Sequence, residues 1–147
     1  MSPSDHDELQ SMRGAADQAP GMLFRLEVLP DGTARMPYAS AGIVELYGCD
    51  PAAARASAAP VLDRIVHEDR KRLLEPGAGN GPRRFRLRVI GADGSLHTHE
   101  VRATVRRDAS GAHRWRGHVA DVTRLCQLEE QAAQQAAAGA AAATPLE

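Results

Sequence analysis

The chain has 147 residues, with 18 Lys and Arg against 19 Asp and Glu, a net charge of −1 with histidines neutral, and only 3% aromatic residues. Once its tails are set aside, a chain of this length builds one modest core of about 100 residues, and its near-neutral balance excludes a global field for nucleic acid or anionic membrane. It carries no charged-then-apolar leader and no apolar run near the ~18 residues of a membrane span, so this piece is expected to be cytoplasmic and without membrane contact, which leaves open an anchor elsewhere in a parent protein.

Residues 1–19 are polar and acidic, with Ser4 and Asp7 placed like a weak capping box and Leu9, Met12 and Ala16 at helical spacing, which predicts a short flanking helix. "GMLFRLEVL" then alternates Met22, Phe24, Leu26 and Val28 onto one face, and "PDG" turns it into a second run, "TARMPYAS". From Ala41 to about Pro76 the pattern becomes helical. "AGIVELYG" is closed by Gly48, "DPAAARA" has Asp50 as N-cap before Pro51, and "APVLDRIVHEDRKRLLEPG" is expected as a further helical piece ending at Pro76-Gly77. "RRFRLRVI", "ADG", "SLHTHEVRATVRR", "DASG" and "AHRWRGHVADV" predict three longer strands joined by tight turns. Phe24, Leu26, Phe85, Leu87 and Val119 are the expected core. The chain closes on "GHVADVTRLCQLEEQ", a strand running into a helix without a break, and on an Ala/Gln-rich stretch whose final Leu146-Glu147 reads as the remnant of a tag junction.

The predicted class is α+β: a five-stranded antiparallel sheet with a helical insert between strands 2 and 3, flanked by helices at both ends. At this point the residues resemble the PAS family. "YASAGIVELYG" resembles its second strand and first helix, "VHEDR" its "hPeDr", "ADGS" its third hairpin and "GHVADVT" its closing "G.v.DIT". The four stand in order across about residues 20–130. His67 in the usual proline slot and Thr98 in an aromatic one depart from the pattern. The resemblance implies a sensor domain over 20–123 with a flank at 1–19, and a signalling helix with its tail at 124–147. It further implies a sensory and dimerisation module of a bacterial histidine kinase or diguanylate cyclase, as in two-component systems, with the effector domain of the same full-length chain as a partner.

In such a module Asp121, Val122 and Thr123 form the signal junction, because Asp and Thr at a helix start satisfy its free amides and tie strand position to helix orientation. Leu125 and Leu128, with Leu9 and Met12, are the candidate homodimer contacts; the alternative is a plain helix lying on its own sheet. A small ligand would sit between sheet and insert, against Met36, Tyr38, Ile43, Leu46, Tyr47, Leu62, Ile65, Phe85 and Leu87. A ligand-free structural dimerisation module is the second reading, and a haem-, flavin- or metal-binding redox sensor the third.

No cofactor and no metal is expected, and no catalytic residues. "EPGAGNGP" lacks the lysine of a phosphate loop, and Cys49 in "YGCDPAA" lacks the context of the light-sensing branch's cysteine. Cys49 and Cys126 lie far apart without zinc-like spacing and read as reduced thiols. His67 near a helix start, His97 and His99 on one strand face, and His113 and His118 beside them form no ligand motif. Arg84, Arg86, Arg88, Arg102, Arg106, Arg114 and Arg116 predict a basic outer sheet face. Without interleaved aromatics this face is expected to meet water or the acidic N-terminal residues Asp5, Asp7, Glu8 and Asp17, not nucleic acid.

Overall fold

The computed structural model describes residues 21–142; Leu9, Met12 and the acidic residues of the N-terminal flank lie outside them. β1 (Met22–Val28) and β2 (Ala34–Ala39) form a hairpin, followed by the helices α1 (Ile43–Tyr47), α2 (Pro51–Ala56), α3 (Ala59–Leu62) and α4 (His67–Leu74). β3 (Gly81–Ile90), β4 (Leu96–Arg107) and β5 (His113–Asp121) form a meander, and α5 (Thr123–Ala142) closes the chain. The strands are antiparallel throughout, in the order β2-β1-β5-β4-β3. The last strand therefore lies at the centre beside the first.

Three of the turns use one local device. Asp31, Asp93 and Asp108 each accept, on Oδ1, the backbone N–H two residues on, from Thr33, Ser95 and Ser110, and each turn contains a glycine at positive φ (Gly32, Gly94, Gly111). An aspartate carboxylate bound to its own backbone in this way replaces the missing ladder partner of a turn. Asp50 caps α2 as expected, accepting from Ala52 N–H at 3.3 Å.

The expected helix over 59–77 divides in two. Ile65 bridges to Val89 on β3, Val66 N–H donates to Arg88 O and Ile90 N–H to Arg64 O, so the backbone at 64–66 spends its hydrogen bonds on the sheet edge instead of on a helix. Asp69 then accepts both Arg88 N–H (2.7 Å) and Arg88 Nε (3.0 Å), holding the start of α4 against the same strand.

One face of the sheet is apolar. Met22, Phe24, Leu26 and Val28 from β1 meet Leu87, Val89, Val101, Val105, Trp115 and Val119, and the insert covers them with Ile43, Tyr47, Ala54, Ala58, Val61, Ile65 and Leu73. Trp115 lies wholly inside and donates its indole N–H to Leu73 O at 3.0 Å, fastening the end of α4 to the central strand. Gly117 sits where β5 presses on β4: an added Cβ there would collide with Arg102 O and Ala103. Phe85 differs from its expected place. It is half-buried at the rim, edge-on to Trp115 (ring centroids 5.8 Å) with Arg72 6.0 Å above it, because β3 is an edge strand that the insert covers only in part.

Candidate functional site

Three places on this frame are open to comparison as sites for a partner or a ligand, and they differ in volume and chemistry. Between sheet and insert, where the ligand walls were expected, the cavity measures about 20 Å3. Met36, Tyr47, Leu62, Ile65 and Leu87 line it, whereas Tyr38, Ile43, Leu46 and Phe85 do not. A void of that size holds roughly one water, while drug-sized ligands and cofactors occupy pockets of about 300–1,000 Å3. Residues that would face a flavin or haem are packed against one another instead, and Cys49 is buried with Sγ 3.4 Å from Asp50 O. This interior does not fit either group.

The outer sheet face is the second place. Arg84 and Arg102, Arg106 and Arg114, and Arg25 and Arg116 are directly opposite one another across the strands. Opposed like charges destabilise a sheet unless anions intervene. Two buried or half-buried acids do so in part. Glu100 lies within 3.2–3.6 Å of Arg84, Arg86 and Arg102, and Glu27 pairs with Arg35 and Arg114. Burial raises the Glu100 carboxyl, but the Arg84 hydrogen bond and the surrounding guanidinium charges outweigh it, and the net shift is downward. The face is thus less uniformly basic than its arginines suggest, since these acids share their strand alternation. Around Arg25, Arg106, Arg114 and Arg116 an open trough of about 660 Å3 remains.

The third place is the end of β5, where the chain passes into α5. Asp121 repeats the turn device, with Oδ1 accepting Thr123 N–H at 2.9 Å and the Thr123 hydroxyl. Thr123 Oγ1 also accepts Thr98 N–H at 3.0 Å, and Val122 N–H donates to Thr98 O at 2.8 Å. One short network therefore joins the ends of β4 and β5 to the first turn of α5. The other carboxylate oxygen, Oδ2, takes His97 Nδ1 at 3.0 Å and lies 3.8 Å from His99 Nε2. Burial raises the Asp121 carboxyl, but the bonds from Thr123 and His97 and the nearness of His99 pull it lower on balance.

His99 is 1% exposed, stands edge-on to Tyr47 of α1 (5.0 Å between centroids), and its Nδ1 has no hydrogen-bond partner among the described residues. Burial pushes its imidazole down to about 4, partly opposed by the Asp121 charge, and pushes the Tyr47 hydroxyl up. Beside this cluster a pocket of about 260 Å3 opens between α1 and the β3–β4 turn, lined among others by Leu46, Arg64, Asp93, His97, His99 and Asp121. Among the described residues no group of three or more His, Cys, Asp or Glu side chains is arranged to hold a metal ion.

Of the three junction residues, Asp121 and Thr123 are hydrogen-bonded to each other, and Val122 joins them only through its backbone N–H to Thr98 O. The role of His99 was not visible in the sequence, although His97 and His99 were grouped on one face, because its contacts with Tyr47 and Asp121 come from α1 and from the β4–β5 register. Leu125 and Leu128 are about half exposed on α5 (47% and 48%). The helix leans back on the sheet through Glu129, which takes both terminal nitrogens of Arg86 at 3.1 and 3.3 Å. No described helix is long and apolar enough to cross a membrane.

A five-stranded antiparallel sheet whose apolar face is covered by a helical insert after its second strand, with an Asp-x-Thr junction into a terminal helix, defines the α+β architecture of this chain. Comparison with solved structures identifies it as the PAS fold. An RNA-binding light-oxygen-voltage receptor is similar over 99% of this chain and 41% of its own length, at 17% identity and a TM-score of 0.65. A sensory box histidine kinase/response regulator from Burkholderia thailandensis matches over 87% of this chain and 94% of its own, at 15% identity and 0.54. The PAS domain of an HTR-like protein from Haloarcula marismortui matches over 80% and 94%, at 15% and 0.53. No protein-family model matches the sequence, and no curated protein matches it significantly.

Proposed function

We propose that this chain is the sensory input and dimerisation module of a bacterial signal-transduction protein, a histidine kinase or a diguanylate cyclase, with a sensor domain over 20–123, flanks at 1–19 and 124–147, and no catalytic step of its own. The observation that carries this reading is the Asp121 carboxylate, which binds the start of α5 with one oxygen while the other faces the two histidines of β4. Any displacement of β4 against β5 must then alter how α5 leaves the domain. The homodimer would use the exposed Leu125 and Leu128, with the acidic N-terminal flank over the trough around Arg25 and Arg116, where charge complementarity favours it.

Sedimentation at micromolar concentration of the intact chain and of one lacking 124–147 tests the dimer. A dimer that weakens on truncation without loss of fold is expected; an intact chain that remains monomeric overturns this part of the reading. The reading without an organic ligand is favoured by the 20 Å3 interior. Native mass spectrometry of the purified protein should give the mass of the bare chain; a stoichiometric added mass without colour would restore a small ligand between sheet and insert, and a visible absorption band would replace this reading with the redox-sensor one.

A further inference from the structure

The junction contains two histidines in unlike surroundings. His97 is partly exposed, and each of its nitrogens faces an oxygen: Nδ1 faces Asp121 Oδ2, while Nε2 lies 2.8 Å from Ser95 Oγ, a hydroxyl that donates to Asp93. A charged His97 ring is satisfied where it stands. His99 is enclosed. The titratable or charged side chains around it are Tyr47 and Glu45 from α1, Arg64 before α4, Asp93 from the β3–β4 turn, His97 on its own strand and Asp121 directly opposite on β5. From β3 it meets the apolar Leu87. Only Asp121 is near enough to answer a charge on Nε2, and it does so from 3.8 Å, beyond hydrogen-bond distance, while Nδ1 has no acceptor among the described residues.

We infer that His99 is the proton-sensing element of a latch at the start of α5, which holds Asp121 on Thr123 while the ring is neutral and releases the first helical turn when the ring is protonated. An imidazolium in this enclosure lacks an acceptor for Nδ1–H among the described residues. It can be relieved by drawing the Asp121 carboxylate into a charge-assisted bond and by opening the end of β5 to solvent. Either movement removes Oδ1 from Thr123 N–H, and with it the tie of Thr123 Oγ1 to Thr98. His97 cannot substitute, because both its nitrogens already face an oxygen, Asp121 Oδ2 at 3.0 Å and Ser95 Oγ at 2.8 Å, so nothing around it has to move. The pocket of about 260 Å3 gives water a route to the cluster. The latch rests on the sensory reading only for its use in signalling; the measurement reads the junction itself, so its failure leaves that reading standing.

NMR-detected amide exchange, corrected for the intrinsic pH dependence of exchange, tests this at about pH 7.5 and about pH 5.5. In the wild type, protection of Val122, Thr123 and Cys126 should fall with acid by up to about tenfold per pH unit, the limit for one linked proton, while amides of β1 and the centre of β5 keep theirs. His99→Gln should remove this response and His97→Gln should retain it. Equal acid response in wild type and His99→Gln, or a loss spread evenly through the sheet, overturns the latch. If His99→Gln does not fold, wild-type shifts followed down to about pH 3.5 decide: the His99 C2–H shift and the Val122 and Thr123 amide shifts must move together toward about pH 4, and amides that move without the His99 ring overturn the latch.

Discussion

The interior between sheet and insert and the notch at the end of β5 share Tyr47 and lie on the same face of the sheet, yet they are built in opposite ways. The interior is apolar and closed to about 20 Å3, while the notch mixes apolar with charged side chains, opens to about 260 Å3 and ends in a buried histidine with an unmatched nitrogen. A packed interior resists small displacements because its side chains already fill the space. A polar cluster with one unmatched group responds to a change of a single charge. In this molecule the unmatched, chargeable group therefore lies beside the start of α5 and not between sheet and insert.

The sharpest way to break this contrast is to open the interior. Leu87 is 1% exposed at the centre of the cavity lining, and Leu87→Ala should cost about 2–5 kcal/mol in urea unfolding. A loss below 1 kcal/mol, by the same scale, would mean that the interior is not close-packed. Acid titration of stability reads the notch next. Burial holds His99 in the folded state at about 4, below its ordinary 6.5, so between these values the unfolded chain takes up a proton that the folded chain refuses. The contribution is complete above about pH 6.5 and is lost as pH falls toward 4, at no more than about 1.4 kcal/mol per pH unit. Asp121, held low, adds a loss of the same sign only at more acid pH. Stability that is flat between pH 6.5 and pH 4 would contradict the enclosure of His99.

Asp121→Ala should cost about 0.5–2 kcal/mol at neutral pH, the range for a lost helix cap, with the loss concentrated in the protection of the first turn of α5. Thr123→Val should weaken the same turn, since its hydroxyl is bound on both sides. The smallest effect is expected on the surface. Glu129→Ala removes the paired contact to Arg86, but both groups are open to solvent and screened, so the melting temperature should not move beyond error. A clear drop would show α5 to be held on the sheet by this pair and not by its junction.

Strand alternation, turn residues and caps were legible in the sequence because each depends on neighbours within a few positions. The run Met22, Phe24, Leu26, Val28 can bury only one face, Asp31-x-Thr33 can close a turn unaided, and Asp121-x-Thr123 supplies its own cap. Registry and long-range contact were not legible. Whether residues 59–77 form one helix or two depended on Ile65 meeting Val89 on the edge of β3, and Phe85 stays half-buried because the insert covers that edge only in part. The basic outer face is interrupted because the alternation that places the arginines there places Glu27 and Glu100 beside them, as only the paired strands reveal. His99 is the clearest case. Its position on a strand face follows from the sequence, but its enclosure arises from α1 folding over β4 and from β5 setting Asp121 opposite, and burial by distant segments is what turns an ordinary imidazole into one that resists a proton.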